Sequence, residues 1–109
     1  MGRRDSDIVG YTFLSQSEES FQDRYVIPLA KMFGWCYYHT HNSRHSAEGF
    51  PDLVLVRPPR IIFAELKAKG KKPTRAQEAW LELLGSVPGV EVYDWTPDDA
   101  DRIVTILER

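Results

Sequence analysis

The chain has 109 residues, 42% of them hydrophobic and 28% charged, with a formal net charge of −2. That is the balance of one ordinary globular domain, long enough for a single core and too apolar for a disordered segment. No apolar run approaches the ~20 residues of a membrane helix. No apolar stretch follows Met1-Gly2-Arg3-Arg4-Asp5, so no signal peptide is expected, and the lone Cys36 excludes an internal disulfide and suits a reducing, cytosolic compartment.

Residues 1–14 show no clear period and read as a flexible N-terminal arm ahead of one domain over 15–109. A helix is expected to open between Ser15 and Ser17, where Ser15 with Glu18 fits a capping box and Glu18 and Glu19 suit the first turn. Phe21, Tyr25, Leu29 and Met32 give it an apolar stripe; Pro28 should kink or divide it, and Gly34 should stop it.

Trp35 to His41 reads as an aromatic-rich strand, followed by a polar loop from Asn42 to Gly49. Asp52 to Arg57 is nearly all apolar, as in a strand covered on both faces. Pro58-Pro59 forces a turn, and the short connection makes Arg60 to Lys67 an antiparallel partner. After a basic loop from Lys69 to Pro73, Thr74 opens a second helix, capped with Gln77 and turning Trp80, Leu81 and Leu84 to the core. Val90 to Trp95 is a fourth strand, and Thr96-Pro97 starts a last helix with Ile103, Ile106 and Leu107 inward. The order α-β-β-β-α-β-α predicts an α/β fold, a mixed four-stranded sheet flanked by helices.

Within that order, strand alternation points Glu65 and Lys67 the same way and Leu66 the other. Asp52 begins one strand and Glu65 lies near the end of its antiparallel neighbour, so pairing alone would join Asp52, Glu65 and Lys67. Carboxylates at the ends of such apolar strands are costly unless paired or bound to an ion. Two carboxylates and the Leu66 carbonyl offer the hard oxygens Mg2+ prefers, and Lys67 could orient a water or meet charge on a phosphate. A plain ion pair is the bland alternative.

Charge is distributed unevenly. Between Arg57 and Arg75 stand Arg57, Arg60, Lys67, Lys69, Lys71, Lys72 and Arg75 against Glu65 alone, while Glu91, Asp94, Asp98, Asp99 and Asp101 gather further on. An acidic protein can present one basic face to phosphates in this way. Taken alone, Lys69-Gly70-Lys71-Lys72 reads first as a solvated loop. His39 and His41 share a strand face and His45 follows. With one cysteine in the chain a structural zinc site is disfavoured, so His41, Asn42, Ser43, Arg44 and His45 read as a polar loop, either contacting a phosphate or sugar or simply solvated.

Gly49, Pro51 and Asp52, then Glu65 and Lys67, then Gln77 and Trp80 in the following helix together resemble the PD-(D/E)xK nuclease superfamily. Within it the chain is most similar to the VRR-NUC family, found as small stand-alone phage and bacterial proteins and as a domain of DNA-repair nucleases. The likeness runs from about Ser15 to the C-terminus. It implies a restriction-endonuclease-like αβββαβ core with an added C-terminal helix, and a divalent-metal-dependent DNA phosphodiesterase using Mg2+ or Mn2+. By the same resemblance Asp52, Glu65 and Leu66 bind metal, Lys67 assists the water, and Gln77 positions Lys67 or the phosphate, unless it is only a cap. The family's first-helix acid falls on Glu18, with Glu19 as the fallback, and Trp80 reads as core. Small family members point to structure-specific cutting of branched DNA, four-way junctions above all, by a homodimer in the cytoplasm (the host's, if phage-encoded). The alternatives are a nicking or degradative nuclease and a non-catalytic DNA-binding module.

Overall fold

A computed structural model describes residues 17–41 and 47–109. The expected arm over residues 1–14 and the cap at Ser15 lie outside that range, as do Ser43, Arg44 and His45. Helix formation begins at Ser17, whose side-chain oxygen accepts from the Ser20 amide at 3.3 Å, with Glu18 and Glu19 in the first turn. Residues 18–32 form one helical rod, α1, in which a π-helical Gln22–Val26 joins α-helical Glu18–Phe21 to α-helical Ile27–Met32.

The wide turn bears on two expectations, that Pro28 divides the helix and that Met32 lies on its buried stripe. Pro28 cannot donate to the carbonyl four residues back, and its ring collides with that carbonyl in a regular helix. Widening the turn ahead of it relieves the collision, so the rod continues undivided. The extra residue also shifts the buried stripe: Phe21, Val26 and Ala30 are fully buried, while Met32 is 68% exposed. Gly34, at φ +85°, ends the element where a side chain would be strained.

β1 (Cys36–His39), β2 (Leu53–Arg57) and β3 (Arg60–Leu66) form an antiparallel meander. α2 (Arg75–Gly85), opened by the Thr74/Gln77 capping box, crosses to β4 (Val90–Trp95), which runs parallel to β3. The sheet order is β1-β2-β3-β4. A 3-10 turn (Pro97–Asp99), capped by Thr96, then leads into α3 (Ala100–Glu108). The architecture is the α/β, αβββαβ core with a C-terminal helix read from the sequence.

Three strands are shorter than expected: β1 is Cys36–His39, leaving Trp35, Thr40 and His41 outside it. Asp52 precedes β2 and Lys67 follows β3, although Lys67 still donates its amide to the Trp95 carbonyl at 2.9 Å. At the other end of β1, the Thr40 amide reaches the Asp52 carbonyl at 2.9 Å.

One sheet face carries the core. Leu53, Leu55, Ile62, Ala64, Leu66 and Trp95 pack there against α1 and against Ile103, Ile106 and Leu107 of α3. The opposite face has α2 alone among the described helices, lying over β3 and β4. Val54 and Val56 are therefore only half-buried, rather than covered as expected. Trp80, Leu81 and Leu84 are likewise half-buried, and Trp80 belongs to a smaller aromatic cluster with Phe50 and Phe63 instead of the core.

Arg57 and Arg60 leave the basic face that the sequence suggested. Both guanidiniums stack on Trp35, at 4.5 and 4.8 Å from its ring. Arg57 donates to the Phe33 and Leu107 carbonyls, each at 2.9 Å. Arg60 grips Glu91 with two bonds of 2.7 and 2.8 Å and reaches the Ile106 carbonyl at 3.1 Å. Trp35 Nε1 also donates to Leu107, so these side chains satisfy the last carbonyls of α3. They do so at the end of the sheet remote from Asp52 and Lys67.

Candidate active site

The β2–β3 register pairs Leu53 with Ala64, so Asp52, one residue earlier, stands opposite Glu65, one residue later. Asp52 Oδ2 accepts from the Leu66 amide at 2.9 Å, and Lys67 Nζ lies 3.5 Å from Glu65 Oε2. Strand pairing brings Asp52, Glu65 and Lys67 together.

Glu65 is 0% exposed, and neither of its carboxyl oxygens has a hydrogen-bond partner among the described residues. Burial, then the neighbouring Asp52 charge, push its pKa up from 4.5 to about 8, against the opposing pull of Lys67. Two carboxyls are crowded together, one of them buried without a hydrogen bond among the described residues, and Lys67 pairs with that one alone. That is a local shortage of positive charge.

From α1, Glu18 looks across to the same place. Its pKa is raised, chiefly by burial, with Lys67 lowering it, Asp52 raising it and Lys71 lowering it. Glu18, Glu19, Gln22, His39, Thr40, Asp52 and Leu66 line one cleft of ≈ 350 Å³. Gln22 enters the sequence reading only as the residue four positions after Glu18 in the family resemblance, and Thr40 not at all. Gln22 is nearly buried, its Nε2 donating to Asp23 at 3.3 Å, and Thr40 Oγ1 is buried with no partner among the described residues. The available signal was a polar residue beside Phe21 in an apolar stripe, four residues after Glu18. His39 stands in the cleft wall with His41 edge-on to it at 5.0 Å, and His41 is exposed.

The remaining motif residues hold the turn before Asp52 onto α2. Gly49 has φ +87°, and a Cβ there would lie 2.6 Å from the Ala76 carbonyl carbon. No other residue satisfies both demands. Trp80 Nε1 donates to the Glu48 carbonyl at 3.1 Å, and its ring meets Phe50 at 5.0 Å. Gln77 caps α2: its Oε1 accepts from the Thr74 amide at 2.8 Å, while no hydrogen bond joins it to Lys67 among the described residues. Lys69, Lys71, Lys72 and Arg75 are exposed on the loop and first turn beside this end of the sheet, Lys69 lying 3.6 Å from Asp98.

A mixed sheet whose adjoining strand ends carry Asp52, Glu65 and Lys67, with an acid on the preceding helix, defines a nuclease of the PD-(D/E)xK type. The VRR-NUC domain profile matches residues 8–94, most of the chain, and the protein belongs to that family. It is a nuclease domain, with DNA as its substrate. No curated protein matches the chain. No helix among the described residues is long and apolar enough to cross a membrane.

Nucleases of this type usually work with divalent cations, and the residues present fit one. The Glu65 oxygens, buried without a hydrogen bond among the described residues, and the crowded Asp52 call for more positive charge than Lys67 supplies. Among the described residues no three His, Cys, Asp or Glu side chains converge as a ready-made cage. Mg2+ is commonly held with less, by one or two carboxylates and by water.

Proposed function

We propose that the protein is a divalent-metal-dependent endodeoxyribonuclease that hydrolyses phosphodiester bonds in branched DNA, with four-way junctions its preferred target. The observation that carries this reading is the buried Glu65 carboxyl, without a hydrogen bond among the described residues, crowded against Asp52 with Lys67 at 3.5 Å. The side chains of Asp52 and Glu65 and the Leu66 carbonyl would hold Mg2+ or Mn2+. A cation held there supplies charge neutralisation and acidifies water.

The chain's own groups do the rest. Lys67 orients the attacking water and meets the charge that builds on the phosphate. Glu18, across the cleft, adds the third carboxylate. Gln77, its oxygen occupied by Thr74, has its amide NH2 left to offer a phosphate. Lys69, Lys71, Lys72 and Arg75 contact the DNA backbone on one side, and His41, with Ser43, Arg44 and His45 of the adjoining loop, on the other. A single small domain has little surface for reading a long site. A twofold homodimer would bring two such centres to a symmetric junction.

The test is cleavage of a synthetic four-way junction, a flap and a plain duplex in Mg2+ and in Mn2+. Preferential cutting of the junction, lost in Asp52→Ala and Lys67→Ala, supports the reading. Equal cutting of all three substrates would make it a nicking or degradative enzyme. Binding without cutting, with no metal-dependent rise in melting temperature, would make it a DNA-binding module.

A further inference from the structure

Lys67 has Glu65 as its ion-pair partner among the described residues. On the nuclease reading, Glu65 gives its oxygens to a cation, so the lysine loses that partner in the state in which it has to be held still. A replacement stands on the adjacent strand. The parallel β3–β4 register sets Asp94 beside Glu65 and Trp95 beside Leu66, and the Lys67 amide continues the ladder to the Trp95 carbonyl at 2.9 Å. Residues in register on neighbouring strands point to the same face, and adjacent strands lie about 5 Å apart. Asp94, Glu65 and Lys67 therefore share the α2 side of the sheet, at its open end.

Asp94 is free for this duty. It makes no hydrogen bond or ion pair among the described residues, whereas its acidic neighbours are engaged. Asp99 accepts from the Thr96 amide at 3.0 Å and pairs with Arg102 at 3.4 Å, and Asp98 pairs with Lys69 at 3.6 Å. Burial and the charges of Asp99 and Glu78 act against the Asp94 carboxylate, and Lys67 is the cation that favours it.

We propose that Asp94 is a positioning residue for Lys67: its carboxylate takes over the Lys67 ammonium when Glu65 is committed to a cation, and so keeps the ammonium aimed at the reacting phosphate. This rests on the nuclease reading. It assigns Asp94 no contact with metal or DNA.

Full-length wild type, Asp94→Asn and Asp94→Glu are compared in three measurements. Thermal melting and Mn2+ calorimetry should leave Asp94→Asn within twofold of wild type in metal affinity, with the same stoichiometry. Junction cleavage should show kcat reduced about tenfold at unchanged KM, with most of the loss recovered by Asp94→Glu. In protein labelled with 15N-lysine, the Lys67 ammonium signal, identified by its absence from Lys67→Arg, should persist in wild type on adding Mg2+. In Asp94→Asn it should be present without metal, where a Glu65 oxygen lies 3.5 Å from the ammonium, and vanish with Mg2+. Wild-type kcat and a persistent ammonium signal in Asp94→Asn would overturn the proposal. So would a fall in metal affinity or stoichiometry, which would make Asp94 a ligand. A wild type that neither binds Mn2+ nor cuts DNA sinks the nuclease reading and this inference with it; a wild type that does both while Asp94→Asn behaves identically sinks this inference alone.

Discussion

Asp52 and Leu66 are joined by a bond of 2.9 Å, from the Leu66 amide to Asp52 Oδ2. It ties the start of one motif to the middle of the other and leaves the second Asp52 oxygen for the cleft. Asn at position 52 keeps an acceptor for the amide but carries no charge, so Asp52→Asn is expected to fold. Its metal-free melting temperature at pH 8 should equal or exceed that of wild type, because the repulsion with Glu65 is gone, and its stabilisation by Mn2+ should disappear. Asp52→Ala also orphans the Leu66 amide, at about 1–3 kcal/mol. Melting curves with and without Mn2+ distinguish the two; an Asn variant stabilised as well as wild type would remove Asp52 from the ligand set.

The raised pKa of Glu65 predicts an inverted pH dependence for a carboxyl. Between its ordinary 4.5 and about 8 the folded protein keeps a proton that the unfolded chain has lost. Stability of the metal-free protein should therefore decline as pH rises through that window and level off above it. Cation binding at pH 7 should expel the proton. Calorimetry of Mg2+ binding in buffers of different ionisation enthalpy measures the release, and heats independent of buffer would contradict it.

Gly49→Ala is expected to cost about 2 kcal/mol or more, since it sets a side chain at positive φ against the Ala76 backbone. Trp80→Phe keeps the ring near Phe50 and loses the bond to the Glu48 carbonyl, at about 1 kcal/mol. Urea unfolding reads both. Because the disturbed turn leads directly into Asp52, Mn2+ affinity should drop in each. A Gly49→Ala protein as stable as wild type would mean that α2 does not bear on this turn.

The basic residues fall into two groups with different expected phenotypes. Lys71→Ala, Lys72→Ala and Arg75→Ala should weaken DNA binding, each reducing the salt slope by about one, with little change in stability. Arg57→Ala and Arg60→Ala should instead destabilise the fold by about 1–3 kcal/mol, through the lost Trp35 stacking and the abandoned α3 carbonyls, and leave the slope alone. Filter binding across a salt series, beside urea melts, separates them.

Element order and type were legible in the sequence because apolar periodicity, Thr74/Gln77 and Thr96-Pro97 caps and the Pro58-Pro59 turn agree with one another. So was the meeting of Asp52, Glu65 and Lys67, which follows from strand pairing alone. What periodicity could not supply was the buried stripe of α1. A 3.6-residue rule selects Met32, and a π turn that answers a steric demand of Pro28 selects Val26 and Ala30. Arg57 and Arg60 look like their lysine neighbours in a charge count. Their different task follows from the position of the α3 terminus, a contact across more than forty residues. Thr40 gave no signal, since its place in the cleft depends on where β1 ends.

The wide turn of α1 also has a bearing on Glu18. One residue of an α-helix corresponds to about 100° about its axis. The π turn absorbs one residue, so that Phe21 and Val26, five apart, share the buried side and Glu18 keeps its bearing on Asp52 and Lys67. The same residues wound as regular α-helix would turn Glu18 by about 100° from that bearing. The width of this turn, as much as the identity of any side chain, therefore decides which way the carboxylate faces.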